Sequence, residues 1–323
     1  MQSLRKLLYP FSFLYDLVTY ARNKAFDIKL LQQRVYNIPV IAVGNLSTGG
    51  TGKTPMIEYL IKHFSGQNIA VISRGYGRKT KGFRIITDAC ASSEVGDEPL
   101  QMFLKFAPDV MFAVGENRVN AIDRVLEIAP QTDVILLDDA YQHRYVKASK
   151  YILLTSYYKP FYKDVLLPAG NLRESSRGIQ RADVVVVTKC PQDLTIEQKQ
   201  VVLKKLGLKT EQKAFFSTIA YSEVLLNSVS EIRLEDITQE VTLLTGIAHP
   251  SYFVKHVSGF VNVVEHLQFS DHHHFSQKDI EKIATRKIVI TTEKDFVRLR
   301  NSGLINLYYL PIKTQFLFED FSL

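Results

Sequence analysis

Ile38-Pro39-Val40-Ile41-Ala42-Val43-Gly44-Asn45-Leu46-Ser47-Thr48-Gly49-Gly50-Thr51-Gly52-Lys53-Thr54-Pro55-Met56-Ile57-Glu58-Tyr59-Leu60-Ile61 is the stretch that decides the fold. Its apolar start predicts a buried strand and its end a helix, with a glycine-rich turn closing on Lys-Thr between them. That order cradles a nucleotide triphosphate. Backbone N–H groups of Ser47, Thr48, Gly49, Gly50, Thr51 and Gly52 face phosphate oxygens, and the helix N-terminus adds its dipole. Lys53 reaches the outer phosphates, and the Thr54 hydroxyl can ligate Mg²⁺. Where the usual pattern has its first glycine this chain has Ser47; Gly49 and Gly50 can supply the backbone freedom instead. A strand–turn–helix without a ligand is the competing reading, and the Lys-Thr at the helix start speaks against it.

Outward from this stretch, apolar strands alternate with helical segments. Asn68–Ser73 is a second buried strand, running into Arg74-Gly75-Tyr76-Gly77-Arg78. Arginines at a strand's carboxyl end suit a phosphate contact; a solvated basic loop is the alternative. Gly96-Asp97-Glu98-Pro99 opens a helix over 100–106, where the two acids also suit a helix start. Val114-Gly115-Glu116-Asn117-Arg118 precedes a further helix. Asp133-Val134-Ile135-Leu136-Leu137-Asp138-Asp139 has the form of a strand whose terminal carboxylates hold Mg²⁺ directly or through water, and Gln142-His143-Arg144 follows it. Strands at 151–155 and 183–189, the second ending in Thr188-Lys189, flank the loop Leu166–Glu174. Such alternation means a mostly parallel sheet covered on both faces.

Beyond a helix at 195–206 the pattern changes. Segments 214–220 and 228–234 read as a hairpin between domains, after which strand–helix alternation resumes to a last strand at 307–310. A helix is expected from Gln277 to Ala284, and Thr292 with Asp295 is spaced to cap another. The expected fold is α/β and phosphate-loop NTPase-like: a mostly parallel sheet flanked by helices, with a second, smaller α/β domain. The segments are an amphipathic helix in 1–31, a nucleotide-binding domain over 32–210, a linking hairpin over 211–236 and the smaller domain over 237–323.

Asp271-His272-His273-His274 is open to three readings. Consecutive side chains diverge, which weighs against a shared metal. A histidine oriented by an aspartate makes a general base, and a polar turn before a helix needs neither.

Composition narrows the classes. The chain has 323 residues, 46% of them apolar, enough for a sizeable core. Two distant cysteines, Cys90 and Cys190, suit a reducing compartment. The net charge of +7 favours anionic partners. No run approaches the ~20 apolar residues needed to span a bilayer, and no signal peptide is evident. A nucleic-acid module with interleaved aromatic and basic residues is absent, and no obligate protein partner is evident. Leu4, Leu7, Leu8, Phe11, Leu14, Leu17, Val18 and Ala21 predict a helix over 3–31, kinked or interrupted at Pro10. Arg5, Lys6, Arg22, Lys24 and Lys29 flank its apolar face. The helix either packs on the core or lies in a membrane interface.

Seven of these stretches, in this order, resemble the tetraacyldisaccharide 4′-kinase family of Gram-negative bacteria. They are Gly44–Leu46 with Gly49–Pro55, Ser73–Arg78, Gly96–Pro99, Asp138-Asp139 with Gln142-His143, Leu167–Glu174, Asp271–His273 and Thr292–Asp295. Ala140 departs from the family's usual glycine. The resemblance implies phosphoryl transfer from ATP to the 4′-hydroxyl of a tetraacylated glucosamine disaccharide 1-phosphate, with the site in the cleft between two Rossmann-like domains. It implies Lys53 on the β- and γ-phosphates, Mg²⁺ surrounded by Thr54, Asp138, Asp139 and Glu174, and Asp97 with His272 as the base. Arg74, Arg78, Arg118 and Arg173 become candidates for neutralising ATP or the 1-phosphate. The N-terminal helix is then expected on the cytoplasmic face of the inner membrane, as a peripheral contact. Another phosphate-loop kinase, a GTPase-like protein or a nucleotide-regulated membrane-binding module is the alternative.

Overall fold

Val40–Asn45 (β1) is buried at every residue and sits at the centre of a nine-stranded sheet. The computed structural model describes residues 5–323, so Ser3 and Leu4 of the expected first helix lie outside the described residues. The other strands of this sheet are Ile69–Ser73 (β2), Arg84–Ile85 (β3), Val110–Val114 (β4), Val134–Leu137 (β5), Lys150–Ser156 (β6), Val184–Thr188 (β7), Lys213–Tyr221 (β8) and, from the far end of the chain, Ile312–Leu317 (β15). Their order is β15-β8-β7-β6-β1-β5-β2-β4-β3, parallel except for β3 and β15 at the edges. From β1 the chain goes to β2 and on to β3 and β4 at the edge, returns as β5 between β1 and β2, then crosses to β6 on the other side of β1. Ligands of open α/β sheets bind at such a reversal, at the carboxyl ends of the strands.

Helices cover both faces. They are Tyr9–Asp27 (α1), Lys53–His63 (α2), Ser92–Val95 (α3), Asp97–Phe106 (α4), Arg118–Ile128 (α5) and Ile196–Leu206 (α6). One core cluster joins α2 and α4 to the sheet, and another packs α5 against its opposite face.

The second sheet has six strands in the order β10-β9-β14-β13-β11-β12. These are Val224–Leu226 (β9), Glu231–Arg233 (β10), Val241–Thr245 (β11), Val263–Gln268 (β12), Val289–Thr292 (β13) and Leu307–Leu310 (β14). Its helices are Ser251–Val257 (α7), Gln277–Ala284 (α8) and Glu293–Leu299 (α9). The expected bounds of α8 hold, and Thr292 caps α9 by accepting from the Asp295 N–H.

Two expectations change. The segment at 214–220 is not part of a hairpin: β8 extends the large sheet, and the hairpin is β9–β10. The strand at 307–310 is not the last, because β15 returns to pair antiparallel with β8. The chain therefore crosses between the sheets twice. The expected interruption at Pro10 takes the form of a helix start: a 3-10 turn, Lys6–Leu8, precedes it, and Pro10 lies in the first turn of α1, where its missing N–H would have no partner anyway.

The first helix is amphipathic in an inverted sense. It docks through polar groups: Ser12 donates to the Leu166 carbonyl, Tyr15 to that of Arg173 and Arg22 to that of Gln142. Leu7, Phe11, Phe13, Leu14, Leu17 and Val18 are each more than half exposed. The packed-on-core reading of this apolar stripe is thus overturned.

Candidate active site

The phosphate loop runs from the end of β1 to the start of α2. Gly52 takes a φ of +84° as the N-cap, a conformation that suits glycine, and Lys53 and Thr54 form the first turn. Neighbouring strands hold the loop. Thr188 at the end of β7 donates to the Thr51 carbonyl (2.8 Å), and Lys189 donates to that of Gly50 (2.6 Å). On its other side the loop pairs with the segment before Glu174: Thr48 N–H donates to Asn171 O and Arg173 N–H to Leu46 O, each at 2.7 Å. This pairing carries Arg173 to the mouth of the loop.

Asp138 and Asp139 follow β5, beside β1, and have opposite surroundings. Asp139 accepts two bonds from the Arg173 guanidinium (2.8 and 3.0 Å), and Lys53 Nζ stands 3.6 Å away. Burial works against its ionisation, yet Lys53 and Arg173 outweigh it and hold the carboxyl below its ordinary range. Asp138 is fully enclosed. Its Oδ2 accepts from Ser73 (3.1 Å), while its Oδ1 is buried with no partner among the described residues. Burial, then the Asp139 charge, push it up to about 6. An enclosed, unpartnered carboxylate oxygen calls for a cation. Among the described residues no three His, Cys, Asp or Glu side chains cluster as a self-sufficient metal cage. Mg²⁺ fits this donor set, because it is usually held by one or two carboxylates together with substrate phosphates and water.

The four candidate arginines divide. Arg173 is at the site, and Arg74 is exposed at the end of β2. Arg78 is instead enclosed, donating to Glu116 and to the Gly82 carbonyl, each at 2.6 Å, so it shapes its own loop. Arg118 is buried behind the acids and donates to the Gly115 and Asp138 carbonyls. Both are held by protein groups through their terminal nitrogens, while each Nε is buried without a partner among the described residues. The Glu174 carboxylate is gripped by both terminal nitrogens of Arg181 and by Asn23 of α1, which ties that helix to the loop. Within 142–144, Gln142 bonds the Asn45 carbonyl and Arg144 reaches Asp27 of α1. His143 accepts from the Arg118 N–H; burial, then the Arg118 charge, hold it down to about 4.

Asp97 and His272, 175 residues apart, do come together. His272 Nδ1 lies 3.4 Å from Asp97 Oδ2. Asp97 is in the first turn of α4, after Gly96, whose added Cβ would press on Gly75 and Tyr76. The Arg74–Arg78 loop is therefore seated against the acid. His272 has a φ of +58°, and Asp139 and Lys189 also lie in the left-handed region. Such strain concentrates at functional sites. The other histidines of the cluster separate: His273 stacks on Phe269 and bonds Asp279 (3.1 Å), a structural role.

Two further residues surround His272. Lys294 Nζ is 3.1 Å from Nε2, and Arg298 Nη2 is 3.1 Å from Nδ1. Both project from α9. In the sequence the Thr292–Asp295 stretch reads as a cap and as part of the family resemblance, and nothing in it marks Lys294 or Arg298 as a neighbour of His272.

Comparisons with known proteins agree. The family model described as tetraacyldisaccharide-1-P 4′-kinase matches residues 4–322. A tetraacyldisaccharide 4′-kinase of Flavobacterium johnsoniae is 49% identical, over 98% of this chain and 94% of its own length. One of Bacteroides thetaiotaomicron is 41% identical, over 97% of this chain and 90% of its own length. Among solved structures, LpxK of Aquifex aeolicus in complex with ATP superposes with a TM-score of 0.80 at 31% identity, covering 98% of this chain and 96% of that one.

Proposed function

The chain belongs to the tetraacyldisaccharide-1-P 4′-kinase family, and from that premise we infer its chemistry: ATP is the phosphoryl donor, and the 4′-hydroxyl of a tetraacylated disaccharide 1-phosphate is the acceptor. ATP and Mg²⁺ are the cofactors. The observation carrying the residue roles is the meeting of Asp97, from the phosphate-loop half, with His272, from the other half.

Phosphoryl transfer depends on positioning and charge neutralisation more than on covalent work. Residues 47–52 and Lys53 hold the outer phosphates. Lys53 and Arg173, both beside Asp139, are the cations placed to neutralise the outer phosphates. Thr54, Asp138 and Asp139 would hold Mg²⁺, which would supply positive charge for the phosphate oxygens. His272 takes the proton of the acceptor hydroxyl as the new P–O bond forms, and Asp97 stabilises the resulting imidazolium. Arg74, exposed just after β2, binds an anionic group of the acceptor.

Transfer of labelled phosphate from ATP to a lipid disaccharide 1-phosphate in detergent micelles tests this reading. Incorporation at the 4′ position supports it; bound ATP with no transfer contradicts it.

The exposed stripe of α1 lies on the cytoplasmic face of the inner membrane, with Lys24 and Lys29 toward anionic headgroups. No helix among the described residues is long and apolar enough to cross a bilayer. Each basic residue near such a surface contributes about 1 kcal/mol. Sedimentation with phosphatidylglycerol vesicles checks this. Replacing Leu14 and Leu17 by Glu should release the protein; undiminished pelleting would exclude α1 as the contact.

A further inference from the structure

We propose that Arg298 is a positioning residue for the reaction, locking Asp97 and His272 into one unit across the two halves of the molecule. The inference rests on the reading of Asp97 and His272 as the base.

The guanidinium is fixed from its own side. Nη1 donates to Asp295 Oδ1 (2.8 Å) and to the Gly246 carbonyl (3.1 Å). Asp295 is fully buried and is itself held by the Gly246 N–H (2.9 Å) and the Thr292 hydroxyl (2.7 Å). The end of β11, the end of β13 and the start of α9 therefore set where the arginine points. Its other edge reaches across. Nε donates to Asp97 Oδ2 at 2.8 Å, and Nη2 stands 3.1 Å from His272 Nδ1. One planar group thus touches both members of the pair, and its side chain is only 6% exposed.

That geometry does what the direct contact does not. Asp97 and His272 are 3.4 Å apart, too long for a strong bond of their own. Asp97 Oδ2 is fixed by the shorter Arg298 bond, and the imidazole is placed against that carboxylate; with a proton on Nδ1, Arg298 Nη2 is a packing contact there and not a donor to it. The cation also holds Asp97 as an acceptor, ready for an Nδ1–H. With the proton on Nδ1, Nε2 presents its lone pair, the form in which a neutral imidazole can take a proton from a hydroxyl. Lys294, between Nε2 and Glu98 Oε1 (2.8 Å), covers that lone pair until an acceptor arrives.

Lysine cannot reproduce this fork, because a single ammonium lacks the planar, multiply donating edge. Arg298→Lys should lower kcat about a hundredfold, the scale set by misplacing a catalytic group by an ångström, while KM for ATP stays at the parent value. In a double-mutant cycle with His272→Ala, the double variant should be no slower than His272→Ala alone. Arg298→Gln, read by ATP affinity and melting temperature as well as kcat, serves as the second variant. Parental kcat in Arg298→Lys, with His272→Ala impaired, would overturn the positioning role and leave the base intact. Fully additive losses would overturn it too, since Arg298 would then act independently of His272. Parental kcat in His272→Ala itself would instead remove the base reading on which the inference rests.

Discussion

The two halves of the active site are built in different ways. The phosphate-loop half comes from contiguous sequence, a strand end feeding a turn that feeds a helix. Its chemistry is local, and Lys53 and Thr54 stand where the turn delivers them. The half around His272 is assembled from separate pieces: the loop after β12, the helix α9 and the first turn of α4 on the other sheet. A contiguous motif binds nucleotide whether or not the halves meet. A discontinuous one exists only when they do. If Asp97 and His272 form the base, the domains separate binding from turnover and interdomain contacts carry catalytic consequences.

The largest effect should come from the contiguous half. Lys53→Ala removes the cation facing the outer phosphates and should cost on the order of 10³-fold in kcat/KM, the scale for a single well-placed donor in a transition state. Steady-state kinetics with ATP checks it. A loss confined to acceptor kinetics would break the division.

The joint between the halves is the next place to press. Lys105, on α4, binds Glu58 of the phosphate-loop helix (2.6 Å) and Glu293 at the start of α9 (3.0 Å). Lys105→Met strands two buried carboxylates and should cost about 3–5 kcal/mol in stability, measured by urea unfolding. Burial, then the Glu293 charge, push Glu58 from 4.5 up to about 7. The folded protein thus keeps a proton that an unfolded glutamate releases, so this contribution to stability is full below about pH 4.5 and is lost as pH rises through about 7. Glu58→Gln should melt higher than the parent at pH 8, with the gap closing at pH 5. An equal gap at both values would remove Glu58 from the pH dependence.

The smallest expected change lies one residue from the proposed base. His273→Ala loses a stacking partner and the bond to Asp279, about 1 kcal/mol of stability, with kcat left within severalfold of the parent. A larger kinetic loss there than in His272→Ala would reassign the base within the cluster.

What could be read from the sequence follows the same division. The phosphate loop, the acids after β5 and the caps of α8 and α9 depend on spacing within a few residues, so they were legible. The return of β15 to β8 was not, because its partner lies about ninety positions away and strand pairing leaves no local trace. Arg78, Arg118 and Glu174 carried the right chemistry for phosphate or metal. Their partners Glu116, the Gly115 and Asp138 carbonyls, and Arg181 claim them only once the chain is folded. Arg298 escaped for the converse reason: nothing in its neighbourhood distinguishes it, and its importance comes from Asp97, 201 residues earlier. The amphipathic pattern of α1 was visible, but whether its apolar side faces protein or lipid depends on the polar seam of Ser12, Tyr15 and Arg22.

Turnover by His272→Ala, with KM for ATP determined in the same assay, tests the central claim most directly. If Asp97 and His272 remove the acceptor proton, kcat falls on the order of 10²–10⁴-fold and KM for ATP stays at the parent value. A parental kcat, or a defect confined to ATP binding, would contradict the account.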